Sequence, residues 1–366
     1  MKTLCLFSGI GGMSVGTPVM YCEIDPHARN VLLARIADGS LTYAPIWPDV
    51  RTLHTLPAPV DMIHGGFPCQ NVSQGGLKAG FDGDKSVLFF EVARLVEVHM
   101  PAFVFLENVS ELVQLPNVWK PVLSVMHWLG YDCHWIVSGA DQSGAPHRRH
   151  RWFLLAKRVR NKSSAENVPL LPLPGKKMHL CGSLLGGVYS ATAAVAAQRH
   201  VLKPPVTLAA VDGAVCRSTD IVPRPLQRER WATIRRSGGN YPAGNLTRRC
   251  AHDLATQLRF AECTPTEDRL FGTPCAVNAD WAEWLCGFAP GWTLAGGEVT
   301  EGHPGWRQEP PVKRLVPNSR QNTRRLQFLG NACVPQQCTF AYHELQARFL
   351  AMPVAIKDRP SKRVKY

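Results

Sequence analysis

The chain has 366 residues, of which 45% are hydrophobic and 19% charged. This length predicts about two domains, or one large domain with an insertion, and the composition excludes a mainly disordered protein. No apolar stretch is long enough for a membrane-spanning helix, for which about 18 residues are needed. The first residues run directly into a strand pattern and lack the features of a secretory signal. A cytoplasmic protein is therefore expected.

The positive charge is concentrated in one part of the sequence. The net charge is +13, yet residues 1–156 carry −2 and residues 157–366 carry +15. An excess of this size predicts a polyanionic partner, with nucleic acid as the first choice. The alternative is a basic protein whose arginines are simply solvated.

The twelve cysteines form no Cys-x-x-Cys pair. The late pair Cys333 and Cys338 has no neighbouring His or Cys at metal-ligand spacing, so no metal site is expected. A disulfide framework is not expected in a long chain without a secretion signal. Most of these thiols are predicted to be small buried hydrophobes.

Strands and helices alternate in the first part of the chain. Strands are predicted at 2–8, 19–22, 61–66, 101–108 and 152–156, and helices at 27–37, 87–98 and 119–129. This alternation predicts an α/β fold with a doubly wound, mainly parallel sheet, whose ligands bind beyond the carboxyl ends of the strands. Ordered structure is expected to resume at 279–288 and 327–350.

The sequence changes character near Lys157. Residues 157–275 are rich in Pro, Gly and Arg and have little periodicity, which predicts a smaller inserted domain. The predicted organisation is a first domain, this insertion, a segment that completes the first domain, and a disordered basic tail. Their bounds are 1–156, 157–275, 276–352 and 353–366.

Two features near the N-terminus suggest a nucleotide-like ligand. Gly9, Gly11 and Gly12 follow the first strand and would let the backbone approach a ligand closely, although turns after strands are often rich in glycine. Glu23 ends the second strand, where an acidic residue can bind a ribose hydroxyl. Its alternative is a solvated strand end.

Four further residues carry reactive or charged groups. Cys69 follows Pro68 beyond a strand end, where a stiff turn could present a nucleophile, although an isolated cysteine is more often structural. Glu107 is either a surface cap or an acid that faces the same cleft. If the chain is extended there, Arg149 and Arg151 point to one face and suit an anionic partner. Otherwise they form a charged strand edge.

In order and spacing, these segments resemble the DNA cytosine-5 methyltransferase family of prokaryotic or phage type. The matching segments are Phe7-Ser8-Gly9-Ile10-Gly11-Gly12, Cys22-Glu23-Ile24-Asp25, Pro48-Asp49-Val50, Gly66-Phe67-Pro68-Cys69-Gln70, Leu88-Phe89-Phe90-Glu91, Glu107-Asn108-Val109, Arg149-x-Arg151, Trp284-Leu285-Cys286-Gly287-Phe288 and Leu329-Gly330-Asn331-Ala332-x-Val334-Pro335. The resemblance covers residues 1–156 and 278–350.

The resemblance implies a Rossmann-like methyltransferase fold that uses S-adenosylmethionine and no metal. It implies methylation of C5 of cytosine in a specific duplex DNA sequence, through a Cys–C6 adduct on a flipped base. The implied catalytic residues are Cys69, Glu107, Arg149 and Arg151. The implied donor-binding residues are Phe7, Gly9, Ile10, Gly12, Glu23, Ile24, Asp49, Val50, Pro68, Leu88 and Asn331. The insertion 157–275 would then recognise the target.

The resemblance has further implications and some departures. A monomer is expected, and a restriction endonuclease could accompany the enzyme. His147 and Lys85 stand where the family has Gln and Arg. The interval from Gly12 to Glu23 is short for a parallel crossover, so the first helix is expected to be clipped, and donor affinity is the property that this clipping would affect.

Two alternatives stay open at this point. One is a tRNA cytosine-5 methyltransferase, which keeps the chemistry and changes the substrate. The other is a DNA-binding relative that has lost donor binding, against which the intact Cys69, Glu107, Arg149, Arg151 and Asn331 argue.

Overall fold

The computed structural model describes residues 1–13, 15–68, 87–159, 275–296, 299, 303, 305–317 and 319–351. Cys69 lies outside the described residues. The predicted tail also lies outside them, as does the predicted insertion apart from residues 157–159 and 275. The domain bounds therefore stay predictions.

The described part contains nine strands and six α-helices. The strands are β1 Lys2–Leu6, β2 Thr17–Cys22, β3 Ile46–Trp47, β4 Met62–Gly66, β5 Phe103–Val109, β6 Tyr131–Ser138, β7 Arg151–Arg158, β8 Cys275–Val277 and β9 Leu315–Pro317. The helices are α1 Pro26–Ala37, α2 Val87–His99, α3 Pro116–Trp128, α4 Ala279–Leu285, α5 Arg320–Asn331 and α6 Pro335–Ala351.

Seven strands form one sheet in the order β3-β2-β1-β4-β5-β7-β6. Neighbouring strands are parallel from β3 to β5, whereas β7 runs antiparallel to both β5 and β6. The strand order reverses between β1 and β4, which is where doubly wound folds bind their ligands. This confirms the predicted fold class, a doubly wound and mainly parallel α/β sheet.

The central strands are apolar because both of their faces are covered. Val104, Phe105 and Leu106 of β5 are at most 1% exposed, and such continuous apolar runs are typical of parallel sheets. Phe105 packs against the C-terminal helix, while Val104 and Leu106 belong to the cluster that α2 and α3 cover. The last described segment of the chain therefore completes the core begun by the first.

The structure differs from the sequence-based elements at several places. The edge strands β3 and β6 were not predicted, because β3 has two residues and β6 mixes polar and apolar side chains. The short helix expected after Gly12 is wrong for the described residues of that connection, which are turns or irregular. Arg149 was expected to be extended, but its φ of 26° is left-handed and β7 begins only at Arg151.

The C-terminal helix α6 contacts β6 and β7. Its residues Cys338, Ala341 and Leu345 share an apolar cluster with Met13 and Val15, which precede β2. The segment after β8 is thus folded onto the sheet. Within the described residues, no helix is long and apolar enough to cross a membrane.

Candidate active site

The loop after β1 turns sharply. Phe7, Gly9 and Gly11 have φ values of 51°, 53° and 88°, and the Gly11 amide donates to the Ser8 carbonyl at 2.8 Å. Left-handed backbone is accessible to glycine at little cost. A Cβ built on Gly9 would meet no atom within 4 Å, so the space above this residue is open. A ligand can approach the backbone there.

Glu23 holds this loop from the end of β2. Its carboxylate accepts the Gly9 amide at 2.7 Å and the Asp25 amide at 2.8 Å. The side chain is 8% exposed, and burial raises its pKa, although the two amides act in the opposite direction. The structure therefore brings Glu23 and Gly9 together. Each carboxylate oxygen keeps a lone pair for a further donor such as a ribose hydroxyl.

The remaining predicted donor residues lie around the same strand ends. Ile24 is 62% exposed beside Glu23, an uncommon state for a large aliphatic residue. Val50 is buried and starts a single 3₁₀ turn, and Asp49 caps that turn through the Arg51 amide at 3.0 Å. The Arg51 guanidinium forms an ion pair with Asp49 at 2.7 Å and lowers the pKa of that carboxyl.

Phe7 and Leu88 pack against the same apolar cluster. Asn331 is the last residue of α5 and is exposed, and Pro68 is half-buried at the last described position before Cys69. The predicted donor residues thus lie just beyond the ends of β1, β2 and β4, on the 3₁₀ turn after β3, or in α2 and α5.

Glu107 lies at the carboxyl end of β5, next to the end of β4. It pairs in register with Gly66, and a Cβ on Gly66 would lie 2.7 Å from Glu107 Oε2. Only a residue without a side chain leaves room for this carboxylate. Glu107 Oε1 lies 3.0 Å from Arg151 Nε, and both side chains are mostly buried.

Asn108 connects this acid to the segment that enters the nucleophile loop. Its Nδ2 donates to the Phe67 carbonyl at 3.0 Å, and its Oδ1 accepts the Val109 amide at 2.8 Å. The Phe67 backbone, which leads into Pro68, is therefore held in a fixed position relative to Glu107, the residue that precedes Asn108. Sequence reasoning placed Asn108 in a motif but gave it no role.

Arg149 and Arg151 do not form a pair on one strand face. The Arg149 Nη2 donates to the Gly330 carbonyl at 2.9 Å and the Ala332 carbonyl at 2.5 Å, on both sides of Asn331. Burial lowers the pKa of Arg149 to about 10, and neighbouring Arg151 adds to this effect. The expectation of two adjacent guanidiniums is corrected, because the left-handed backbone at Arg149 turns its side chain toward the end of α5.

Two residues that sequence reasoning did not assign hold this turn. Gln337 is fully buried, and its Nε2 donates to the Ser138 carbonyl at 2.7 Å and the Arg149 carbonyl at 2.9 Å. His147 is 1% exposed, and its Nε2 lies 2.9 Å from the Leu285 carbonyl. Burial lowers the pKa of His147 to about 3, so the ring is neutral near pH 7. No pattern in the sequence marks Gln337, because its partners are distant carbonyl groups.

The described site residues gather at one end of the sheet. No group of three or more His, Cys, Asp or Glu in the described part of the chain could hold a metal ion. A buried acid paired with an arginine stands beside the entrance to the Cys69 loop, and an open glycine turn lies one strand away from β4. A buried acid and an open turn that a ligand can approach therefore lie at the same end of the sheet, close to the last described residue before Cys69.

Comparison with known proteins agrees with this arrangement. Residues 1–199 match the family described as C-5 cytosine-specific DNA methylase. The chain is 40% identical over 162 residues to the Type II methyltransferase M.CviJI of Paramecium bursaria Chlorella virus IL3A, covering 42% of each chain. It is 35% identical over 168 residues to the Type II methyltransferase M2.BsuMI of Bacillus subtilis (strain 168), covering 43% of this chain and 42% of that protein. The matches thus span less than half the length of these relatives.

A solved structure has a similar fold. The methyltransferase EhMeth of Entamoeba histolytica has a TM-score of 0.52 at 13% identity, covering 95% of this chain and 98% of that one. At this identity the likeness concerns the fold alone. The family match, by contrast, includes the glycine turn, Glu23, Glu107 and both arginines. The chain belongs to the C-5 cytosine-specific DNA methylase family.

Proposed function

We propose that this protein transfers a methyl group from S-adenosylmethionine to C5 of cytosine in duplex DNA. The observation that carries the proposal is the position of Glu107. Its buried carboxylate lies over the end of β4, beside the backbone that leads to Cys69, and Arg151 orients it at 3.0 Å. Family membership supports the same reaction.

The residues at the loop after β1 fit a nucleoside-type methyl donor. The open space at Gly9 admits a ligand against the backbone, Glu23 has lone pairs for a ribose, and exposed Ile24 offers an apolar face for a base. S-adenosylmethionine supplies an electrophilic methyl group when it is bound. In the proposal Glu23 and Gly9 orient the donor, while Phe7, Leu88 and Val50 form the apolar floor below it.

The protein's contribution to the chemistry is to activate the base. The Cys69 thiolate adds to C6 of cytosine, which makes C5 electron-rich enough to accept a methyl group. Glu107 holds the base through N3 and the exocyclic amino group and stabilises the charge that develops there. Loss of the C5 proton and departure of the Cys69 sulfur then restore the ring. Arg149 acts on the turn that carries Asn331 rather than on the base.

The reacting atoms of a stacked cytosine are inaccessible, so the base must leave the duplex. Residues 157–366 carry a net charge of +15, which supports duplex DNA as the partner and residues 157–275 as the part that reads the sequence. The relatives are named Type II methyltransferases, and that class supports a companion restriction endonuclease for this chain. A monomer is the proposed state.

The test is covalent trapping on duplex DNA that contains 5-fluorocytosine. Fluorine at C5 blocks the final elimination, so a productive enzyme stays attached to DNA. We expect a denaturant-resistant protein–DNA band with wild-type protein and S-adenosylmethionine, and none with Cys69→Ala. Sequencing of the trapped fragments reports the target.

Folded protein that forms no band on DNA of mixed sequence would contradict the proposal. The same assay on tRNA then separates an RNA methyltransferase, which gives a Cys69-dependent band, from a non-catalytic DNA-binding relative, which gives none. A band that persists in Cys69→Ala would overturn the nucleophile assignment.

A further inference from the structure

The connection between β1 and β2 is unusually short for parallel neighbours. Leu6 and Cys22 are paired in register, and residues 7–16 join the two strands. A parallel pair is usually joined by a dozen or more residues that include a helix. The described residues of this connection are not helical. The glycine turn at Gly9 and Gly11 therefore lacks the helix that would ordinarily follow it and stiffen it.

A turn from the C-terminal part of the chain contacts the glycine turn instead. The Trp292 Nε1 donates to the Ile10 carbonyl at 2.8 Å. Ile10 is 1% exposed and packs in the apolar cluster that contains Leu285 and Phe288. The Phe288 and Trp292 rings lie 5.4 Å apart between centroids. Two aromatic side chains thus support the glycine turn.

The contact behind the next glycine is equally close. A Cβ on Gly12 would lie 2.6 Å from the Cys333 carbonyl oxygen and 3.0 Å from Phe288 Cζ. The backbone of the first loop and that of the segment after α5 therefore lie against each other. A cavity of about 250 Å³ lies beside Gly11 and is bordered by Leu41, Phe288 and Trp292. The aromatic residues that support the glycine turn therefore also line this cavity.

Two buried charges of opposite sign hold the Trp292 turn from two directions. Arg35 of α1 donates to the Gly291 carbonyl at 3.1 Å and the Leu294 carbonyl at 3.3 Å, and its guanidinium lies 5.9 Å from the Trp292 ring. Glu283 of α4 accepts the Gly291 amide at 2.6 Å and the Thr293 amide at 2.8 Å.

Arg35 and Glu283 are at most 1% exposed. Burying charges is costly, and it is tolerated when each charge is fully hydrogen-bonded. These bonds fix the backbone on both sides of Trp292, and so they fix the direction of its N–H group toward Ile10.

We propose that Trp292 is a positioning residue for methyl-donor binding. It takes the place of the missing crossover helix and holds the glycine turn in the shape that leaves Gly9 open to the donor. The proposal rests on the proposed function, because it assumes that S-adenosylmethionine binds at this turn. Trp292 itself acts through the Ile10 carbonyl.

The test uses Trp292→Phe, which keeps an aromatic ring in the cluster and removes the N–H donor. Trp306→Phe is the matched control, because the Trp306 Nε1 donates to the Trp284 carbonyl at 3.0 Å in the same part of the fold. Calorimetry measures the dissociation constant for S-adenosylhomocysteine. Hydrogen exchange of the Gly11 amide measures the order of the turn without any ligand.

We expect Trp292→Phe to raise that dissociation constant about tenfold, the size expected for a buried carbonyl left without its donor. Exchange at Gly11 should become faster. The kcat at saturating donor and the affinity for DNA should stay at wild-type values. Trp306→Phe should leave donor binding and Gly11 exchange unchanged.

Equal donor affinity in wild type and Trp292→Phe overturns the inference, and so do equal losses in both variants, because the effect is then general destabilisation. If wild-type protein binds S-adenosylhomocysteine but forms no trapped adduct, the proposed function is contradicted. The role of Trp292 in donor binding is then still decided by comparing wild type with Trp292→Phe. Wild-type protein that binds none contradicts both.

Discussion

Glu107 and Arg151 form an ion pair across two antiparallel neighbours, with 3.0 Å between Oε1 and Nε. They come from the carboxyl end of β5 and the first residue of β7, and their side chains are 10% and 16% exposed. The carboxylate is thus oriented before any base arrives. A preorganised acid needs no rearrangement at the moment of reaction, which is how fixed charges contribute most to catalysis.

A single and a double variant separate the effect of this ion pair on stability from its effect on catalysis. Arg151→Met should lower the free energy of unfolding by about 3 kcal/mol, because it leaves the Glu107 carboxylate buried without its partner. Glu107→Gln combined with Arg151→Met should recover most of this loss, since no charge is then stranded. Urea unfolding measures both. Neither protein should methylate DNA. Equal instability of the single and double variants would contradict the role of the buried charge.

Asn108 is expected to affect turnover more than stability. Asn108→Ala removes two hydrogen bonds, one to the Phe67 carbonyl and one from the Val109 amide, each worth about 1 kcal/mol. The same change frees the backbone that leads to Cys69, and misplacement by about 1 Å can reduce a rate by about 100-fold. Single-turnover methylation and thermal unfolding test the two effects. Ser110→Ala is the control, because its hydroxyl donates to exposed Glu111.

Three glycine variants distinguish the steric effect of an added Cβ from the conformational cost of a left-handed backbone. Gly12→Ala should destabilise the protein by about 1–3 kcal/mol, because its Cβ would press on a backbone carbonyl. Gly9→Ala costs about 1 kcal/mol for its left-handed φ, yet its methyl group enters the open space, so donor binding should weaken at least about tenfold. Gly296→Ala meets nothing within 4 Å and should change neither quantity. Chemical unfolding and calorimetry with S-adenosylhomocysteine provide the measurements. Wild-type affinity for S-adenosylhomocysteine in folded Gly9→Ala would show that the donor does not bind at this turn.

His147 makes the fold sensitive to acid. Burial lowers its pKa from 6.5 to about 3, so between these values the unfolded state binds a proton that the folded state does not. Above about pH 6.5 the buried ring costs no stability. As the pH falls below that value, the free energy of unfolding decreases by about 1.4 kcal/mol per pH unit. Buried His64, with its pKa lowered to about 4 by burial, acts in the same direction.

Between about pH 6 and pH 4.5, the free energy of unfolding of His147→Gln should therefore fall less steeply than that of the wild type. The difference in slope should equal the effect of one titrating histidine. Urea midpoints across this range measure the effect. The exposed His54 provides a control variant, His54→Gln, which should follow the wild-type curve. A wild-type slope in His147→Gln would show that the ring is not neutral in the folded protein.

The sequence determined the fold class and the strand ends at which the site is built. Alternating apolar runs and amphipathic segments predict a parallel α/β sheet because each strand must be covered on both faces. Local sequence patterns locate Glu23, Glu107 and the residues just before Cys69, since each lies at or just beyond the end of a buried strand. Parallel strands bring their carboxyl ends to one edge, so their meeting follows from strand order.

The tertiary structure decided which groups touch. Arg149 and Arg151 are two residues apart, yet one holds the carbonyls beside Asn331 and the other holds Glu107, because a single left-handed residue rotates the first away from the strand. The contact of Trp292 with Ile10 joins residues 282 positions apart. No local pattern encodes such a pair, since it depends on where a later segment packs. The sequence determines what each strand end carries, and packing of the C-terminal segment determines what holds it in place.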